Sequence, residues 1–489
     1  MSGEYAVSLE GVSLTYPSAS RPSLRNIELT VAPGELVAII GPSGCGKTSV
    51  TRVVNGLAEK YYEGALEGSV RVGGLDVRRA HLHEIGKTVG SVFQDPRSQF
   101  FASLVEDEVA FGMENYGVPH RLLDERVDAS LAQVRAKGLK GREVFPLSSG
   151  EKQKVAIASV SAVDPLAYVF DEPSANLDMK SVDALGSLMV DLKRHGRALV
   201  VAEHRVYYLT DIADRFIYME HGEIVRVLSR SDLLALTVGE RERMGIRSPS
   251  IDLEESVSQR CFRGEEAGVE ISRLSYTVRS RRVFDDLDLR IPCGNLVALV
   301  GRNGVGKTTL ARVICGLAKG QGGAISFSEE PVGKRERRRA SYFVSQNADC
   351  QLFSDSVAEE LLLNRPELSS AEIESLLDAY GLLAFKESHP MILSGGQKQR
   401  LAIAIAELVD ASVILLDEPT SGLDYRNMRR ISLRLKMLAA GGKTVLVISH
   451  DYEFIASSCA AAVHIGGPDS VTYLDMADSK EELLAALME

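Results

Sequence analysis

The chain has 489 residues, with 56 Lys and Arg against 67 Asp and Glu and a formal net charge of −11. Its 45% hydrophobic content excludes intrinsic disorder and collagen-like composition, and the length predicts two or three domains, each able to bury a core. The acidic balance argues against bulk binding to nucleic acid or an anionic membrane surface, though not against a local anion site.

The first residues, MSGEYAVSLEGV, carry neither a basic region nor a long apolar core, so no signal peptide is expected there. Cys45, Cys261, Cys293, Cys315, Cys350 and Cys459 are scattered without a C-x-x-C pair, which reads as a reducing compartment. The longest apolar stretches, such as Leu401–Val409, fall far short of the ~18 residues a membrane-spanning helix needs. A soluble polypeptide is predicted, serving any membrane process as a peripheral subunit.

Leu36–Ile40 (LVAII) is a short buried-strand run ending at a glycine loop. That loop, Gly41–Thr48, has the form G-x-x-x-x-G-K-[ST], and a helix opens at Lys47 and runs through TSVTRVVNGLA. Glycines let backbone N–H groups wrap phosphates, and a helix start adds its dipole. Lys47 is placed to reach the β- and γ-phosphates of a nucleotide and Thr48 to hold Mg²⁺. Cys45, at the same helix start, is a candidate modification site because a thiol pKa can drop there. Further on, Ala167–Phe170 is a buried strand closed by Asp171-Glu172. The Asp is suited to hold Mg²⁺ through water and the Glu to polarise an attacking water. Ala198–Ala202 is the next buried strand.

Then the chain repeats itself. GRNGVGKTT starts at Gly301, 260 residues after GPSGCGKTS at Gly41. LSGGQKQR at Leu393 lies 246 residues after LSSGEKQK at Leu147, and Asp417-Glu418 and His450 keep that offset from Asp171-Glu172 and His204. Leu296–Val300, Val413–Leu416 and Thr444–Ile448 repeat the strands. Alternating strands and helices predict an α/β fold in each copy, with a mainly parallel sheet, helices on both faces and chemistry at the carboxyl ends of the strands. The predicted domains are 1–240 and 268–489, joined by a connector over 241–267. Around that join, residues 239–268 carry five Arg against seven acids and no sustained periodicity. KRERRR at Lys334–Arg339 is expected to be a solvated helix face.

The order P-loop, Gln, LSGGQ, DEP, LD, His resembles the ATP-binding cassette (ABC) ATPases, twice over and across nearly the whole chain. The resemblance implies two tandem P-loop NTPase domains, each with a helical signature subdomain. It also implies ATP and Mg²⁺ as cofactors, and head-to-tail pairing of the cassettes within one chain, each ATP lying between one P-loop and the other signature. Carried over residue by residue, ATP contacts in the first copy fall on Tyr16, Gly41, Ser43, Gly44, Gly46, Lys47, Thr48, Ser49, Gln94, Ser148, Gly150 and Asp171. In the second they fall on Tyr276, Gly301, Asn303, Gly304, Gly306, Lys307, Thr308, Thr309, Gln346, Ser394, Gly395, Gly396 and Asp417. Mg²⁺ falls to Thr48, Gln94 and Asp171, and to Thr308, Gln346 and Asp417. Glu172, Glu418, His204 and His450 take the catalytic positions, and Asp178 and Asp424 match the D-loop. Tyr16 and Tyr276 each precede their P-loop lysine by 31 residues, as does the aromatic that stacks on adenine. The first signature departs from the family: Ser149 and Glu151 replace Gly and Gln. Since signatures act in trans, the site of Lys307 is expected to turn over more slowly. The signature helices are expected to start near Glu151 and Gln397.

After the Q-loop the copies read VFQDPRSQFFASLVEDEVAFG (Val92–Gly112) and VSQNADCQLFSDSVAEEL (Val344–Leu361). Each has a second Gln five residues after the first (Gln99, Gln351), an apolar pair (Phe100-Phe101, Leu352-Phe353) and V-x-[DE]-[DE]-[VL]. This resembles the ATPases of energy-coupling-factor (ECF) and cobalt-type importers, although the second copy lacks the Pro and the FG. It implies a motor subunit at the cytoplasmic face of the membrane. Its partners would be an integral membrane coupling subunit, docked on a groove that includes the apolar pair, and a separate substrate-binding membrane protein for a vitamin or metal ion. A tandem sugar or nucleoside importer ATPase is the alternative, but such chains often carry a degenerate second P-loop. A soluble ribosome-associated tandem ABC ATPase usually has a long charged connector, whereas this one is short and slightly acidic, so no nucleic-acid partner is expected.

Overall fold

The computed structural model describes residues 5–17, 19, 21–251, 266–278 and 281–489. The chain divides into two compact units, one built on Met1–Ser250 and the other on Ile251–Leu423 and Asn427–Glu489.

In the first unit a six-stranded sheet runs in the order Glu223–Leu228, Arg215–Glu220, Leu36–Ile40, Ala198–Ala202, Ala167–Asp171, Val89–Val92. It is parallel except for the edge hairpin Arg215–Leu228. Every residue of Leu36–Ile40 is buried because both faces of the sheet are covered. Successive side chains of a strand point to opposite faces. Leu36, Ala38 and Ile40 accordingly enter one hydrophobic core, and Val37 and Ile39 enter the other. The second core lies against an antiparallel sheet of Leu24–Val31, Val7–Thr15, Ala65–Val72 and Leu75–Asp76. The first extends into the helices Val105–Asn115 and Leu123–Gln133, packed on Ser149–Ala162.

The second unit repeats the plan. Its six-stranded sheet runs Ser341–Val344, Val413–Asp417, Thr444–Ile448, Leu296–Val300, Ala461–Ile465, Val471–Asp475. Its antiparallel sheet runs Arg281–Pro292, Ala267–Val278, Ala324–Phe327, Glu330–Pro331. The six buried strands read from the sequence stand at their expected positions, those before the acidic pairs extended by one residue to Asp171 and Asp417.

The helices differ at their ends. The helix from Lys47 stops at Val54, because Gly56 turns left-handed at φ 76°, and a single further turn, Leu57–Lys60, follows. The signature helices begin at Ser149 and Gly395, two residues earlier than expected. Ser148 and Ser394 cap them in S-x-x-E/Q capping boxes, which satisfy donors that a helix start leaves unpaired. Part of the predicted connector is helix: Val238–Met244 is capped by Thr237 and closed by Gly245 at φ 70°. Connector residues 252–265 lie outside the described residues. The basic run forms the helix Lys334–Ala340 but is not uniformly solvated. Arg337 is buried, and its guanidinium donates to the Val332 carbonyl at 2.9 Å. Among the described residues no helix is long and apolar enough to cross a membrane.

Candidate functional site

Each P-loop leaves its strand through backbone that only glycine tolerates. Gly41 has φ 146°, and a Cβ there would sit 2.3 Å from the Met219 carbonyl oxygen; Gly301 repeats this against Ile465 O at 2.5 Å. The loop curls over its own lysine. The Lys47 ammonium donates to Gly41 O at 3.0 Å and Pro42 O at 3.2 Å. Lys307 donates to Gly301 O at 2.6 Å and Arg302 O at 3.1 Å. Both ammoniums are thereby held buried at the mouth of a helix whose first N–H groups have no partner within the helix. Cys45, two residues before Lys47 in the first loop, does not match its expectation. Burial pushes the thiol pKa up, and nearby Lys47 only partly opposes this, so the reactive thiolate is disfavoured.

The acidic pairs close on the P-loops. Thr48 Oγ1 donates to Asp171 Oδ1 at 2.9 Å, and Thr308 Oγ1 to Asp417 Oδ2 at 2.9 Å. Burial first, and the adjacent Glu172 second, push the Asp171 pKa up to about 6; burial also raises Asp417. A carboxylate whose burial outweighs the lysine and arginine nearby, set beside a hydroxyl, is a hard-oxygen donor set suited to Mg²⁺.

Glu172 and Glu418 occupy left-handed backbone, at φ 45° and 51°, a region non-glycine residues rarely enter. Glu172 is bracketed: Gln94 Nε2 donates to Oε2 at 2.8 Å, and His204 Nε2 lies 3.4 Å from Oε1. Burial alone would raise its pKa, but His204, then Lys47, outweigh burial and hold the carboxyl below its ordinary value. In the second unit His450 Nε2 stands 3.8 Å from Glu418 Oε1. The structure thus brings together Lys47, Thr48, Gln94, Asp171, Glu172 and His204 from four strand ends of one sheet. Gln346 follows the equivalent strand of the other sheet.

Sequence reasoning passed over the support beneath His204. Buried Glu203 accepts from the backbone N–H groups of His204 at 2.7 Å and Arg205 at 3.1 Å, and from the Tyr208 hydroxyl at 2.9 Å. In the second unit Asp451 does related work, accepting from Thr420 Oγ1 at 3.0 Å. An acid flanking the histidine in each copy was the available signal.

The signatures form a separate station in each unit. Ser148 Oγ donates to Glu151 Oε2 at 2.9 Å, and Arg142 Nη1 pairs with Glu151 Oε1 at 2.9 Å. Burial would raise the Glu151 pKa, but the Ser148 N–H and hydroxyl and Arg142 together lower it. In the second copy Gln397 Oε1 accepts from the Ser394 N–H at 2.8 Å. A Cβ on Gly150 would strike Ser181 Oγ at 2.4 Å, whereas one on Gly395, the counterpart of Ser149, would meet nothing within 4 Å. The Gly-to-Ser change at 149 is therefore sterically free, and the Gln-to-Glu change at 151 reorganises the cap.

Beyond the Q-loops the repeated motif resolves into parts. Gln99 and Gln351 turn back onto their own strands: Gln351 accepts from the Ser345 N–H at 2.9 Å and donates to Phe343 O at 2.8 Å. Buried Glu108 accepts from the N–H groups of Phe101 and Ala102, both at 2.8 Å; Glu360 does the same for Phe353 and Ser354. The apolar pairs split, since neighbouring residues in extended backbone face opposite ways. Phe100 and Leu352 are buried, while Phe101 is 75% and Phe353 78% exposed. The expectation that Phe100 belongs to a surface groove is corrected: Phe101 is the exposed ring, stacked on Phe111 at 4.9 Å.

The family described as ABC transporter matches residues 24–175 and 284–421, one P-loop in each span. The chain belongs to the ABC transporter ATPases. A Treponema denticola chain, named as an ABC transporter ATP-binding protein, is 37% identical over 489 residues, covering 98% of both chains. YkoD of Bacillus subtilis, named as an HMP/thiamine import ATP-binding protein, is 34% identical over 92% of this chain and 88% of its own. Archaeal ABCE1, in a structure titled as ribosome-bound Pelota and ABCE1, has a TM-score of 0.70 at 21% identity, over 97% of this chain and 80% of that one; this likeness is of fold. The chain is thus a tandem ABC ATPase that binds ATP.

Proposed function

We propose that this ABC ATPase is the motor subunit of an ECF-type importer, driving micronutrient uptake through separate membrane subunits from the cytoplasmic face. The observation that carries the reading is the pair of exposed rings beside the Q-loops, Phe101 and Phe353, each fixed by a buried glutamate at the same spacing. A lone exposed ring needs no explanation, but the same exposed ring built twice by the same device fits a helix-in-groove contact with a membrane partner. The name of YkoD, an HMP/thiamine import ATP-binding protein, supports an importer of a micronutrient.

In this reading Lys47 and Lys307 leave their loop carbonyls for the phosphates, helped by the N-termini of their helices. Thr48, Asp171 and Gln94 would hold Mg²⁺ in one site, and Thr308, Asp417 and Gln346 in the other, where the metal would neutralise charge on the phosphates. Glu172, deprotonated at neutral pH, accepts a hydrogen bond from the attacking water and orients it, and Glu418 does so in the second site. His204 and His450 stand beside those carboxylates to contact the γ-phosphate, while Tyr16 and Tyr276 stack on the base. Gln94 links Glu172 to the segment carrying Phe101, so a change at the nucleotide is felt at the docking ring.

Co-expression with candidate membrane subunits tests the proposal. Phe101→Glu with Phe353→Glu should leave ATP binding by the isolated chain intact, yet abolish co-purification with the membrane subunits and uptake. Unchanged membrane assembly, with the native chain sedimenting with ribosomes, would move the assignment to the ribosomal class.

A further inference from the structure

The two copies hold their base-side tyrosines by different means. From the end of the P-loop helix to a left-handed glycine that both copies share, Gly68 at φ 87° and Gly323 at φ 77°, the first copy reads GLAEKYYEGALEG (Gly56–Gly68), whereas the second reads GLAKGQGG (Gly316–Gly323), five residues shorter. In the first unit the extra residues fold back on Tyr16. Tyr61 and Tyr62 both donate their N–H to Leu57 O at 3.0 Å, which places their rings edge to face at 4.9 Å. The Tyr62 ring meets Tyr16 edge to face at 6.2 Å, and the Arg52 guanidinium lies 4.0 Å from the Tyr62 centroid. Gly64 closes the turn against the same side chain: a Cβ there would stand 2.8 Å from Ala58 O and 3.5 Å from Tyr16 Cδ1. Tyr16 Oη lies 3.5 Å from Ser49 Oγ on the P-loop helix.

The corresponding segment of the second unit, GLAKGQGG, contains no aromatic residue. Gln321 instead clasps the backbone next to Tyr276: its Oε1 accepts from the Thr277 N–H at 3.0 Å and its Nε2 donates to Thr277 O at 3.1 Å. Its own N–H donates to Ser275 O at 3.0 Å, so the residues on both sides of Tyr276 are tied to one glutamine.

We infer that Tyr62, braced by Arg52, and Gln321 are positioning residues that fix Tyr16 and Tyr276 for stacking on the nucleotide base, one by ring packing and the other by a backbone clasp. The inference rests on the base-stacking reading of those tyrosines. A preformed ring loses less freedom on binding, so the brace acts on affinity for the base and not on hydrolysis. Ring contacts of this kind carry enough energy for a several-fold effect.

The test separates the sites with Lys307→Ala, which leaves the first P-loop, and Lys47→Ala, which leaves the second. In the Lys307→Ala chain, Tyr62→Ala should raise the KM and Kd for ATP roughly 3- to 10-fold with kcat nearly unchanged, and Tyr62→Phe should restore both. Inorganic tripolyphosphate, which lacks a base, should bind the Tyr62→Ala chain as it binds the parent. In the Lys47→Ala chain, Gln321→Ala should act likewise. Equal losses for ATP and tripolyphosphate would reduce Tyr62 to a fold-stabilising residue and overturn the inference. Tyr16→Ala keeps the two claims apart. If it leaves ATP affinity untouched, the base-stacking reading fails; if it weakens ATP while Tyr62→Ala and Gln321→Ala do not, the positioning inference alone fails.

Discussion

The amide of Gln94 donates to the carboxylate of Glu172 at 2.8 Å, on the oxygen that His204 does not face. One carboxylate is thereby oriented from two sides. Removing its charge while keeping its shape should cost about 10²- to 10⁴-fold in turnover, the scale of a lost general base. Glu172→Gln and Glu418→Gln should each slow ATP hydrolysis, and the double change should retain bound ATP through gel filtration. Parental hydrolysis by the double variant would remove both residues from the catalytic role.

Asp171 predicts a pH dependence whose sign follows from its raised pKa of about 6. In the proposed site Mg²⁺ would need the carboxylate, so apparent Mg²⁺ affinity in ATPase assays should fall as pH drops below about 6, approaching 10-fold per unit. For folding the sign is opposite. The folded state takes up this proton more readily than the unfolded chain, so the group's contribution is fully present below the ordinary Asp pKa and is lost as pH rises to about 6. Asp171→Asn should therefore raise the Tm of the nucleotide-free chain at pH 7.5 and show no gain near pH 3.5, while abolishing hydrolysis at that site. A lower Tm at pH 7.5 would contradict the buried-charge account.

In the first signature the Ser148 hydroxyl donates to Glu151, which Arg142 also engages. A hydroxyl has one proton to donate, so this bond competes with one to a γ-phosphate. In the Lys47→Ala chain, which relies on the second P-loop, Glu151→Gln should raise turnover about 10-fold or more, the worth of one hydrogen bond to a charged group. In the Lys307→Ala chain it should do nothing. Equal residual rates in the two lysine variants, with no gain from Glu151→Gln, would mean that the sites are equivalent.

Buried Glu108 and Glu360 each hold two backbone N–H groups at the exposed rings. Glu108→Ala should cost about 3–6 kcal/mol in urea unfolding of the isolated chain, for two charge-assisted bonds lost. It should also weaken assembly with membrane subunits as strongly as Phe101→Glu, because the ring loses its anchor. ATP affinity should stay within two-fold, roughly the scatter expected of a substitution outside the site.

The parts of this molecule that were readable in advance are those whose chemistry is local and duplicated. A strand ending in G-x-x-x-x-G-K-T, or in Asp-Glu, specifies its own geometry, and finding each twice at fixed offsets removed chance. What escaped depends on tertiary neighbours. Phe100 and Phe101 are chemically alike, but Phe100 enters the core shared with Val105–Asn115 while Phe101 stays exposed. Cys45 sits at a helix start that should favour a thiolate, but burial dominates. Arg337 belongs by sequence to a solvated run, and its bond to the Val332 carbonyl sets it apart. The early start of the signature helices is legible in the sequence: S-x-x-E and S-x-x-Q are capping boxes as well as ligand motifs.

The left-handed backbone at Glu172 and Glu418 limits how these positions can change. A β-branched replacement would strain the chain as well as remove the acid, whereas Gly, Asn or Asp would relieve or tolerate the turn. A descendant that loses hydrolysis at one cassette while keeping its fold therefore has a narrow exit, and those small residues are the marks by which such a retired cassette would be recognised.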